Sequence, residues 1–97
     1  MYEIEYTQDA VNDLKWFRKH EQKIIITAIE VQLRYEPTVE TRNRKPMRSN
    51  SVADWELRVG QFRVLYDVTE KVRIVEIQRI GQKRGDKFFF QGQEEEL

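Results

Sequence analysis

The sequence predicts an α+β fold in which an N-terminal strand and a helical hairpin pack on an antiparallel β-meander of about four strands. Three observations predict it. Apolar residues alternate with period two at the N-terminus and again from Trp55 onward, the mark of half-buried strands. Between these runs they recur every three to four residues, the mark of helices. At 97 residues the chain fits one domain, 1–97, with one modest core.

Tyr2, Ile4 and Tyr6 alternate with Glu3 and Glu5 as a short strand, and Thr7 ends it by offering a hydroxyl as helix N-cap. Asp9 then sits in the first turn, where the helix dipole favours a negative charge. Ala10, Leu14 and Phe17, with Val11 beside them, make the apolar stripe of a first helix running to about His20. Trp16 falls off that stripe, either against the second helix or on a partner surface. His20 reads as a surface cap near the helix C-terminus. A second helix spans about Glu21 to Tyr35, with Ile25, Ala28, Ile29 and Leu33 on one stripe and Ile24, Val31 and Tyr35 flanking it. So broad an apolar face suits a helix packed on a sheet and on another helix, with some residues left over for a partner. Pro37 stops it.

Residues 37–54 read as a long polar connection made basic by Arg42, Arg44, Lys45 and Arg48, either a phosphate-backbone arm or a solvated loop. Trp55, Leu57 and Val59 then alternate with Glu56 and Arg58. After Gly60-Gln61, Phe62, Val64, Tyr66 and Val68 alternate with Arg63, Leu65 and Asp67. A Gly-X pair suits a two-residue type II′ hairpin, which places Arg58 opposite Arg63. Facing like charges cost roughly 0.2 to 1 kcal/mol, so an anion held between them gives the pairing a purpose. The alternative is two solvated arginines partnered by Glu56 and Asp67. The third meander strand, about Val72 to Ile80, has mixed phase: Val72, Ile74 and Ile80 fall on one face and Val75 and Ile77 on the other, as in a central strand covered on both sides. Arg79 closes it, and Lys83 and Arg84 follow Gly81 in an expected loop. Phe88, Phe89 and Phe90 cannot all face one core, and Glu94–Glu96 read as a solvated end.

The charge balance of zero conceals segregation. Residues 1–41 carry five Lys/Arg and eight Asp/Glu, residues 42–87 twelve and six, and residues 88–97 none and three. A basic middle inside a neutral chain is the footprint of a polyanion site. Zero cysteines exclude disulfides and thiolate metal sites, and one histidine leaves no imidazole cluster, so a metal could enter only through carboxylates; no metal or other cofactor is expected. No apolar run approaches the roughly 20 residues that span a bilayer, and the N-terminus has no basic-then-apolar leader, so a soluble cytoplasmic protein is expected.

The run W-x-L-R-V-x-x-F-R-V-x-Y-x-V at residues 55–68, followed about a dozen residues later by R-I-G-x-K-R at 79–84, resembles the RelE/ParE superfamily of bacterial toxins. The resemblance extends over nearly the whole chain, since a strand and helical hairpin precede the meander there too. It implies the toxin of a type II toxin–antitoxin system, neutralised by a cognate antitoxin in a heteromeric complex. RelE-like members cut ribosome-bound mRNA without a metal, and ParE-like members inhibit DNA gyrase.

By that resemblance Arg63 stands at the phosphate-contacting arginine of the RelE-like enzymes and Arg58 where they carry a lysine. Lys83 or Arg84 falls at their post-glycine arginine, Glu56 replaces a second lysine, and Phe89 occupies the place of the C-terminal tyrosine. The terminal histidine of other members has no counterpart. The expected catalytic set is therefore Arg58, Arg63, Lys83, Arg84 and Glu56. Arg42, Arg44, Lys45, Arg48, Arg79 and Phe89 are expected to hold RNA. Guanidinium forks suit the phosphate, Glu56 is the nearest base, and phenylalanine stacks without transferring protons. The expected activity is a metal-independent, ribosome-dependent mRNA endonuclease that inhibits translation. The alternatives are a gyrase inhibitor and a catalytically inactive antitoxin-binding module.

Overall fold

In the computed structural model, which describes residues 1–97, the elements run β1 (Glu3–Tyr6), α1 (Gln8–Trp16), α2 (Lys19–Leu33), β2 (Arg44–Pro46), β3 (Trp55–Val59), β4 (Phe62–Thr69), β5 (Ile74–Arg84), β6 (Lys87–Phe90) and β7 (Gln93–Glu95). The sheet order is β2-β3-β4-β5-β6-β7, all antiparallel, and β1 joins β5 in parallel through Glu3–Tyr6 against Ile74–Ile77. The α+β class and the hairpin of helices follow the expectation. The strand count does not, because β2, β6 and β7 form within segments that read as a loop and a frayed end.

Each boundary has a local cause. The Thr7 hydroxyl accepts from the Ala10 N–H at 3.1 Å and donates to the Gln78 carbonyl at 2.9 Å, so the cap also ties α1 to β5. Helix α1 stops at Trp16, not near His20: Phe17 turns extended, and its carbonyl accepts from the Gln22 amide. His20 consequently sits in the first turn of α2, an N-terminus instead of the expected C-terminus. At the far end of α2, the Arg34 guanidinium donates to Glu30 and to the Tyr2 carbonyl, fixing the helix to the start of β1.

Ile25, Ile29 and Leu33 are fully buried, and with Ala10 and Phe17 they form one core with Leu57, Val64, Tyr66, Val75, Ile77 and Ile80 of the sheet. Tyr66 stacks on Trp55 with ring centroids 6.2 Å apart, and its hydroxyl donates to the Pro37 carbonyl. Burial pushes the Tyr66 phenol well above its ordinary pKa. Asp13 is as buried as any of these residues.

The mixed phase of β5 resolves into a bulge. Leu65 pairs with Arg79 but Tyr66 pairs with Ile77, so Gln78 is an extra residue and the alternation switches phase there. Val75, Ile77 and Ile80 thereby all reach the helical core, and Val72 lies exposed in the preceding turn. On the opposite face Leu65, Ala53 and Phe90 form a second small cluster, flanked by Met47, Val52 and Phe88. Gly81 makes this possible: a Cβ there would stand 2.3 Å from the Phe89 carbonyl oxygen and 2.7 Å from the Phe90 ring.

Candidate nucleic-acid interface

The β3–β4 hairpin turns at Gly60-Gln61, and Gly60 alone of the pair has positive φ, at 58°, as a type II′ turn requires. The register then sets Arg58 opposite Arg63 and Glu56 opposite Leu65, on the face away from the helices. Glu56 is buried, 5% exposed, and its two oxygens serve both arginines: Oε2 accepts from Arg58 Nε at 2.9 Å, and Oε1 lies 3.7 Å from Arg63 Nε. One carboxylate between two guanidiniums leaves a net positive charge.

Neither arginine has all its donors engaged. Arg63 spends Nη1 on the Gly60 and Phe62 carbonyls, at 2.7 and 2.9 Å, while its buried Nε has no hydrogen-bond partner. Burial is the largest influence on Arg63 and lowers its pKa. Glu56 opposes that shift, and the Arg58 charge adds to it. Arg58 is held only through Nε, with its side chain 42% exposed. Asp67, the other expected partner, is occupied elsewhere, accepting from the Asp54 N–H and the Gln78 amide.

The sheet curls so that residues of β2, β3, β5, β6 and β7 line one groove of about 870 Å³. Its cations are Lys45, Arg48, Arg58, Lys83 and Lys87, and its carboxylates are Glu56, Asp86, Glu94, Glu95 and Glu96. Phe88 forms part of the wall, with Lys83 Nζ 5.2 Å from the centre of its ring. No group of three or more His, Asp or Glu converges to hold a metal ion.

Several residues expected at the site are elsewhere. Strand β5 continues through Arg84, so Lys83 and Arg84 point to opposite faces instead of reaching out together from a loop. Lys83 lies in the groove. Arg84 covers Phe89 on the other face, with its guanidinium carbon 4.6 Å from the ring centroid. Phe88, and not the expected Phe89, is the aromatic residue in the groove, because alternation along β6 turns Phe89 to the other face.

Arg44 is a structural residue: buried between α2 and β3, it donates to the Val39 carbonyl and to both the carbonyl and the side chain of Gln32, capping the end of α2. Arg42 is exposed outside the groove. Arg79 is tied to Asp13, with Nε to Oδ2 at 2.7 Å and Nη2 to Oδ1 at 3.1 Å, and its Nη1 reaches Glu95 at 3.3 Å. The hydrogen bond to Asp13 is the main reason its pKa is raised. Of the basic connection, Lys45 and Arg48 reach the groove.

A second concavity, apolar and on the opposite side, is lined by His20, Lys23, Ile24, Thr27, Ala28, Val31, Gln32 and Val59. Ile24 and Val31 on this side of α2 are 49% and 68% exposed, and Tyr35, just past the helix end, is 68% exposed. No helix is long and apolar enough to cross a membrane.

No family model matches the sequence, and no curated protein matches it either. Solved structures do match the fold. The toxin–antitoxin complex RelBE2 of Mycobacterium tuberculosis contains a chain that superposes with a TM-score of 0.74 at 24% identity, over 84% of this chain and 91% of that one. A chain of the archaeal RelE–RelB complex of Pyrococcus horikoshii gives 0.68 at 22% identity, over 87% and 96%. One from the YoeB–YefM complex of Staphylococcus aureus gives 0.63 at 18%, over 87% and 98%. The chain therefore has the fold of the RelE-like toxins.

Proposed function

We propose that the protein is the toxin of a toxin–antitoxin pair, and that its curled sheet holds the backbone of mRNA on the ribosome for metal-independent cleavage. The observation that carries this reading is the Arg58–Arg63 pair sharing the single carboxylate of Glu56, with Arg58 lining a groove that holds four further cations while Arg63 stands just outside its lining. A phosphodiester set between the two guanidiniums meets donors that the protein does not use itself. In the reaction, a ribose 2′-oxygen attacks the adjacent phosphorus, the bond to the 5′-oxygen breaks, and a 2′,3′-cyclic phosphate and a 5′-hydroxyl result. Arg58 and Arg63 stabilise the charge that builds on the phosphorane, Glu56 takes the 2′ proton, and the Lys83 ammonium gives a proton to the leaving 5′-oxygen. The exposed apolar stripe of α2 through Ile24, Val31 and Tyr35 is the docking surface for an antitoxin helix.

A second reading, binding without cleavage, is favoured by the groove's aromatic residue being Phe88 and by the placement of His20 on the helical side. Under it the protein blocks a partner such as gyrase, or serves only to hold an antitoxin. Mapping transcript ends after expression without antitoxin separates these readings. New 5′ ends inside coding sequences support the nuclease. Growth arrest with intact transcripts and a DNA-damage response supports the gyrase reading, and absence of arrest supports the inactive module.

A further inference from the structure

The acidic strand β7 lies in the cationic groove, and we propose that it is a built-in counter-ion, a strap that a polyanionic ligand must displace. The inference rests on reading the groove as an anion site. It assigns a role to Glu94–Glu96, which the proposed chemistry leaves unused.

Without β7 and the residue after it, the groove holds Lys45, Arg48, Arg58, Lys83 and Lys87 against Glu56 and Asp86 alone. Glu94, Glu95 and Glu96 bring the cations and carboxylates to equal number. Glu95 shares the face of Phe88, and Glu94 and Glu96 line the same groove, so these carboxylates occupy the positive field that a phosphate backbone would otherwise neutralise.

The strap is placed to be released. Strand β7 is three residues long, lies at the sheet edge with every residue open to solvent, and pairs only with β6. Its ion pairs are long, Glu95 to Arg79 at 3.3 Å and Glu94 to Lys87 at 3.8 Å, and they lie at the surface, where such pairs are weak and yield to salt. Its hinge, by contrast, is anchored. Gln91 and Gly92 both have positive φ, the Gln91 amide donates to buried Asp13 at 2.8 Å, and Gly92 lies directly under the Trp16 indole. Strand β7 can therefore leave while β6 and Gln91 stay in place, and its departure loosens the Gly92 backbone that packs on Trp16, so the indole reports the change.

The test uses the full chain with Trp55→Phe, so that Trp16 is the remaining tryptophan, and inorganic polyphosphate as the probe. Hydrogen exchange on the unaltered chain provides a second measurement that does not depend on that substitution. On binding polyphosphate, the Trp16 emission should shift to the red and the amides of Gln93–Glu95 should exchange at least about tenfold faster. The triple variant E94Q/E95Q/E96Q should bind polyphosphate about tenfold more tightly, since three competing charges are gone. Tight binding that leaves Trp16 and the β7 amides unchanged would overturn the proposal, as would a triple variant that binds no better than the parent. Failure of either protein to bind polyphosphate would overturn it too. Release of the strap by polyphosphate together with no affinity for RNA upholds the strap and removes the RNA reading.

Discussion

Arg58 and Arg63 are cross-strand neighbours at the end of the β3–β4 hairpin, and the carboxylate of Glu56 is the counter-charge they share. Like charges directly across a strand pair are destabilising, and one buried carboxylate offsets only half of the charge. Under the proposed function, an RNA phosphate is what completes the balance. Replacing Arg63 with glutamate puts a second carboxylate beside Glu56, and growth arrest should disappear while binding of the proposed antitoxin, assigned to the other face, should persist. Cleavage by Arg63→Ala should fall by about 10² to 10³, on the scale for losing one donor to a developing oxyanion. Toxicity assays paired with antitoxin pull-down check both.

Glu56→Gln separates binding from chemistry. Removing the negative charge should leave RNA affinity unchanged or stronger, since both guanidiniums are freed. Single-turnover cleavage should drop by about 10² to 10⁴ if Glu56 is the base. A variant that cleaves at the parental rate would return Glu56 to the role of a simple ion-pair partner.

Asp13→Ala should be among the most damaging substitutions outside the groove. Asp13 is 0% exposed and accepts from Arg79 Nε and Nη2, the Ile80 N–H and the Gln91 amide. Its loss strands a cation and a buried backbone donor, at a cost of about 3 kcal/mol. Urea denaturation should show a lowered midpoint with unchanged slope.

Gly81→Ala tests the packing of the second cluster. The added methyl collides with the Phe89 carbonyl, which belongs to the backbone and cannot rotate away. A loss of about 2 kcal/mol is expected, together with faster hydrogen exchange along β6.

What the sequence disclosed and what it hid have separable physical causes. The facing arginines were legible because alternation and a Gly-X turn fix a hairpin register from local residues alone. The stripe of α2 was legible for the same reason, with Ile25, Ile29 and Leu33 all buried. The phase of β5 was not, because the extra residue at Gln78 changes which side Ile80 faces and no local signal marks it. Arg44 and Arg79 looked like ligand-binding cations, since nothing nearby in sequence announces Gln32 or Asp13 as their partners. Asp13 itself sat unnoticed on the helix because its partners lie more than sixty residues away. Choosing between Phe88 and Phe89 required the pairing of β6 with β5. The expected loop after Gly81 failed because β6 supplies a strand partner that continues β5 through Arg84.

The most direct test follows the two guanidiniums themselves. In a titration of the protein with a short RNA made uncleavable by 2′-O-methyl groups, the Nε–H resonances of Arg58 and Arg63 should shift together with one dissociation constant. Affinity should fall steeply as salt rises. Saturating RNA that leaves both resonances in place, or moves only those of Arg42 and other cations remote from the β3–β4 hairpin, would contradict the account.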